Sequence, residues 1–118
     1  MNIRAVYDRV NLTYPVGQNE FIAYFNDSVR SLAARYDAKF VFDRDEDAEP
    51  QAFAEAESIS GVSGVRQAYA DCIADNILYL ISGDEKHKVD FVNKCDMAYK
   101  TVWRSFAKGR RRYGDRWI

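Results

Sequence analysis

The chain has 118 residues and a mass of 13.6 kDa, with 47% hydrophobic and 30% charged residues and 17 Lys+Arg against 18 Asp+Glu. That size is one domain, too apolar for a chain disordered throughout, and the charges leave no uncharged run near the roughly 18 residues of a membrane span. Asp8 interrupts the first segment before an apolar stretch forms, so no secretory signal is read. The expected compartment is reducing cytoplasm, where the two cysteines are free thiols.

Ile3, Val6, Tyr7 and Val10 recur at three- and four-residue spacing, which predicts a short amphipathic helix over 2–12 that stops at Tyr14-Pro15-Val16-Gly17. Asn19 is a natural N-cap for a second helix from Glu20 to Tyr36, whose Phe21, Ile22, Phe25, Val29, Leu32, Ala33 and Tyr36 make a wide apolar stripe. Lys39-Phe40-Val41-Phe42-Asp43 is β-branched and aromatic and reads as one short strand, paired with 57–61 or with another subunit. Residues 43–58 form an acidic excursion in which Asp43, Asp45, Glu46, Asp47, Glu49, Glu55 and Glu57 outweigh Arg44, for a net charge of −6.

After the break at Ser58-Ile59-Ser60-Gly61-Val62-Ser63-Gly64, a third helix is predicted over Val65 to Ser82 on the period of Val65, Tyr69, Cys72, Ile73, Ile77, Leu80 and Ile81. Gly83 stands where a left-handed residue ends a helix and Asp84 can cap the next, so the third and fourth helices must form a tight antiparallel hairpin. The fourth helix is predicted over 85–107, through Val89, Phe91, Val92, Cys95, Ala98, Tyr99, Val102, Trp103 and Phe106, with Gly109 as its stop. Residues 100–118 carry a net charge of +6. The expected architecture is mostly α: about four helices with a long antiparallel C-terminal hairpin and a small β element. It is organised as a helical domain over 1–108 and a basic-aromatic tail over 109–118, expected to be disordered in the free protein.

Catalytic chemistry finds little support. His87, the only histidine, lies in the polar run Asp84-Glu85-Lys86-His87-Lys88 and is expected at the surface. No Glu-x-x-His pair is present for a di-iron site, two cysteines and one histidine fall short of a structural zinc set, and neither GxxxxGK[ST] nor GxGxxG occurs. Asp71 and Asp75 share a helix face and are expected to be solvated. Cys72 lies eleven residues before Gly83 and Cys95 eleven after Asp84, so an antiparallel hairpin puts them at similar height, and both are expected to be buried small hydrophobes. No enzymatic activity, cofactor or metal is expected. The binding segment is instead the tail, where Arg110, Arg111, Arg112, Tyr113, Arg116 and Trp117 mix guanidinium groups with aromatic rings, as nucleic-acid grooves and protein anchors both do.

The succession of a first helix ending in Arg9-Val10-Asn11-Leu12 before Pro15, a second with Phe21-Ile22 and Val29, and then Tyr69, Ile73-Ala74-Asp75-Asn76-Ile77, Tyr79-Leu80, Gly83-Asp84, Phe91, Lys94, Tyr99 and Trp103 resembles the small head–tail connector (adaptor) proteins of long-tailed bacteriophages and prophages. It looks like the group typified by the connector beneath the portal in lambda-like and related Siphoviridae. The resemblance implies a structural virion protein, made in the bacterial cytoplasm and placed at the head–tail interface. It would assemble as a homo-oligomeric ring on the portal protein, extend the channel for DNA that passes without sequence-specific binding, and support the next connector, stopper or tail protein. The tail would then be the portal-binding segment, through Arg110, Arg111, Arg112, Tyr113, Arg116 and Trp117. Asp43, Asp45, Glu46, Asp47 and Glu49 would line the channel or meet the next ring. The competing reading is a small helical nucleic-acid-binding protein that sets its basic tail on phosphates.

Overall fold

The computed structural model describes residues 1–42 and 55–114, with side chains through 106. These residues form five α-helices and no strand: α1 (Ile3–Thr13), α2 (Gln18–Arg35), α3 (Ala38–Val41), α4 (Ala70–Ser82) and α5 (Glu85–Gly114), with one 3₁₀ turn, Gln67–Tyr69, leading into α4.

The first two helices follow the predicted stripes. Asn2 caps α1 by accepting a hydrogen bond from the Ala5 amide, and Ile3, Val6 and Val10 are its buried face. At the corner before Pro15, Tyr7 donates its hydroxyl to the Val16 carbonyl at 3.1 Å, the Val16 amide donates to Asn11 Oδ1 at 3.0 Å, and the Tyr7 ring meets Phe21 edge-on at 5.1 Å. These contacts fix the turn so tightly that α2 starts a residue after Gly17, two residues earlier than an Asn19 cap would give. Phe21, Phe25, Val29 and Leu32 then face the core.

The predicted strand is corrected. Asp37 accepts a hydrogen bond from the Lys39 amide at 3.1 Å, which starts the single helical turn α3 in place of an extended run. Only Phe42 is extended enough to bridge, antiparallel to Val65, and a second isolated bridge joins Asn2 to Val62. Next to the first bridge, the Arg66 amide donates to the Val41 carbonyl at 2.9 Å and the Tyr69 hydroxyl to the Phe40 carbonyl at 3.0 Å. The β-branched and aromatic residues of this segment are therefore used to fill the core at Val41 and to build an aromatic surface at Phe40.

Residue 56 is tied to α2 by a side chain that imitates a strand. The buried Asn26 amide donates to the Ala56 carbonyl at 3.0 Å and accepts from the Ala56 amide at 2.9 Å. Two main-chain groups are thus satisfied where the described residues form no sheet.

The hairpin is as the sequence requires. Gly83 adopts φ 72°, its amide donates to the Tyr79 carbonyl at 2.7 Å, and Asp84 accepts from the Lys86 amide at 3.0 Å, so two residues end α4 and start α5. Cys72, Ile73, Ala74 and Ile77 of α4 form one core with Phe91, Cys95, Ala98 and Val102 of α5, and α1 and α2 cover α4 from the other side. The predicted stop at Gly109 is also corrected, because helical backbone continues through it to Gly114. A glycine inside a helix costs only about 1 kcal/mol. The sequence places Lys108, Arg110, Arg111 and Arg112 near the end, where positive charge is favoured by the helix dipole at roughly 0.3–1 kcal/mol each. With 30 residues, α5 spans about 45 Å. The molecule accordingly measures 55 × 29 × 22 Å, and its 15.7 Å radius of gyration exceeds the about 13.5 Å of a compact chain of this length.

Candidate functional site

Two regions of α5 carry chemistry that the fold alone does not use. The first is its distal half. Tyr36 stacks on Tyr99 with ring centres 4.6 Å apart, and Phe40 meets both Tyr99 at 5.5 Å and Phe106 at 5.3 Å edge-on, so four rings, from the C-cap of α2, from α3 and from α5, run along one flank. The guanidinium of Arg66 lies over the Phe106 ring at 5.3 Å. The Tyr36 hydroxyl donates to Asp96. Burial in the aromatic flank, with that carboxylate beside it, pushes the Tyr36 phenol well above the usual range.

Beside this flank the helix leaves large apolar side chains in water: Met97 is 69% exposed, Trp103 51% and Phe106 43%. These residues precede the basic run at 108–112 on the same helix. The backbone of Arg110, Arg111, Arg112 and Tyr113 lies in the last turns of α5, so this part of the predicted tail is helical in backbone. Arg116 and Trp117 lie outside the described residues, as do Asp43, Asp45, Glu46, Asp47 and Glu49. Of the acidic excursion, Glu55 is described and forms an ion pair with Arg30.

The second region spans the hairpin near its joint. Asp71 and Asp75 do not act as a pair. Asp71 is exposed and bound to Arg9, whereas Asp75 is only 6% exposed and has Lys94 Nζ 2.6 Å from Oδ2. His87, expected at the surface, is half-buried: its ring meets Tyr14 edge-on at 6.3 Å, and its Nδ1 is buried without a hydrogen-bond partner. One donor atom each from Asp75, His87 and Asp90 lie within 4.8 Å of one another. Sequence reading missed this group because Asp75 and His87 are on different helices. The register counted for Cys72 and Cys95 would have found it, since it equally brings Asp75 to the level of the first two turns of α5.

The two thiols do meet. Cys72 donates to the Tyr69 carbonyl at 3.1 Å, and both cysteines are free and buried. The Cys95 thiol alongside, together with burial, holds the Cys72 thiol far above the ordinary thiol range, so it is a protonated core group at neutral pH.

No described helix is long and apolar enough to cross a membrane. No family model, curated protein or solved structure matches the chain.

Proposed function

We propose that this chain is a structural subunit of a phage head–tail junction, which assembles as a ring on the portal, prolongs the DNA channel and carries the next connector, stopper or tail protein. The observation that carries the reading is the exposed Met97, Trp103 and Phe106 on a long helix that ends in a basic run. Exposed apolar side chains on a helix that runs into a basic segment are what a protein completed by assembly presents. The succession of helices and the tight hairpin agree with the connector resemblance, and the opposed acidic and basic segments suit contacts between successive copies or layers. An acidic segment facing the channel would let DNA slide, because basic contacts are what hold phosphates through counterion release.

In this role the distal half of α5 is the contact element. Trp103 and Phe106 supply rigid apolar area, and Arg110, Arg111 and Arg112 supply the charge that chooses the partner surface. The test is capture of the portal ring encoded in the same genome. Full-length chain retains the ring, and Trp103→Asp or the triple change of Arg110, Arg111 and Arg112 to Gln releases it while the far-ultraviolet dichroism stays unchanged. Retention by both variants would overturn the assignment. DNA binding lost on the triple change, with no portal capture, would establish the nucleic-acid reading instead.

A further inference from the structure

Independently of that role, we propose that Asp75, His87 and Asp90 form a site for a divalent transition-metal ion, of the Zn²⁺ type, that clamps α4 to α5 beside the hairpin joint. The register is set by covalent structure. His87 and Asp90 are one turn apart on α5, Asp75 faces them from α4, and the two-residue joint at Gly83-Asp84 holds the helices at this level. Their donor atoms, within 4.8 Å of one another, need close by at most about 1.4 Å to reach the roughly 3.4 Å separation of ligands about 2.1 Å from a tetrahedral ion.

His87 Nδ1 is buried without a hydrogen-bond partner, and the deeply buried Asp75 carboxylate has only Lys94 Nζ, 2.6 Å from Oδ2, as its counter-ion. A buried ring nitrogen without a partner is rare in folded proteins and calls for one. Lys94 Nζ forms an ion pair with Asp75 Oδ2 at 2.6 Å. A carboxylate this deeply buried needs a cation. Lys94 supplies one from a partly exposed side chain that can swing into water, so it acts as the occupant that a metal displaces.

The donor set selects the ion. One imidazole nitrogen with two carboxylate oxygens suits Zn²⁺ and its neighbours in the first transition row, whereas Mg²⁺ and Ca²⁺ favour oxygen-only shells. Three protein ligands leave a fourth position for water. The edge contact of His87 with Tyr14 carries the constraint to the α1–α2 corner, so the ion would stiffen both joints of the molecule.

The test uses untagged full-length protein and Zn²⁺ alone, followed by imidazole ¹H–¹⁵N correlation spectra. His87 is the only histidine, so every imidazole signal belongs to it. The expected result is a stoichiometric shift of the His87 resonances, with affinity reduced at least about tenfold by His87→Ala and by Asp90→Asn, and raised by Lys94→Met. Both ligand variants alter half-buried positions, and their retained dichroism shows that the fold is intact. Co²⁺ then separates this site from the thiols, because binding at Cys72 and Cys95 gives a thiolate charge-transfer band and binding here does not. Unshifted His87 signals with excess Zn²⁺, affinity unchanged in both ligand variants, or a thiolate band would each overturn the proposal.

Discussion

Asn76 Nδ2 donates a 2.7 Å hydrogen bond to Ser28 Oγ inside the α2–α4 contact, and Ser28 in turn donates to the Tyr24 carbonyl at 2.8 Å. Both side chains are buried in an otherwise apolar face, so the chain of bonds fixes the rotation of α4 against α2. Replacing Asn76 with Ala leaves the buried Ser28 hydroxyl without that donor and opens a small cavity. The expected loss is about 1–3 kcal/mol in urea unfolding, and Ser28→Ala combined with Asn76→Ala is expected to cost less than the sum of the two.

Ile77 is fully buried where α4 meets the rest of the core, whereas Leu12 is exposed on α1. Ile77→Ala is expected to destabilise the chain by about 2–5 kcal/mol through the cavity it leaves. Leu12→Ala is expected to fall within about 0.5 kcal/mol of the parent. Equal effects in denaturant melts would mean that the faces of these helices are wrongly assigned.

Gly83 holds a left-handed conformation with nothing within 4 Å of the position a Cβ would occupy. The cost of Gly83→Ala is thus a matter of backbone alone, and about 1–2 kcal/mol is expected, with Gly83→Asn milder because Asn tolerates this region. Thermal midpoints of the two variants check the order.

Tyr69 is completely buried and donates to the Phe40 carbonyl, and burial, with the nearby thiols, pushes its phenol from the ordinary 10.0 to about 12. Because the folded state favours the protonated form, this contribution to stability is whole below pH 10 and disappears as pH rises towards about 12. Tyr69→Phe is expected to cost about 0.5–1.5 kcal/mol at neutral pH by removing the bond, and to flatten the alkaline fall in stability. Some slope remains, since Tyr36 is raised as well. An unchanged alkaline profile in pH-dependent denaturation would contradict this.

The helices were legible because Phe21, Phe25, Val29 and Leu32, or Ile73 and Ile77, repeat at a helical period that burial then uses. The joint at Gly83-Asp84 was legible because glycine is the residue most at ease in that backbone region. The same glycine logic failed at Gly109, where a penalty of about 1 kcal/mol is too small to end a helix with favourable charge beyond it. Lys39–Phe42 misled because β-propensity reports a side chain that packs on a half-buried surface, and Val41 and Phe40 meet that need from a helical turn. His87 looked exposed because its sequence neighbours are polar. Its burial comes from Tyr14 and Asp75, which are distant in sequence and close only once the hairpin and the α1–α2 corner are formed.

On the function proposed above, this chain completes itself by assembling with its own copies at a phage junction. The most direct measurement is absolute mass by light scattering across a wide concentration range, with and without DNA at moderate salt. The expected result is a discrete species many times 13.6 kDa that forms without DNA. A monomer at every concentration, or one that gains mass only when DNA is present, would contradict it.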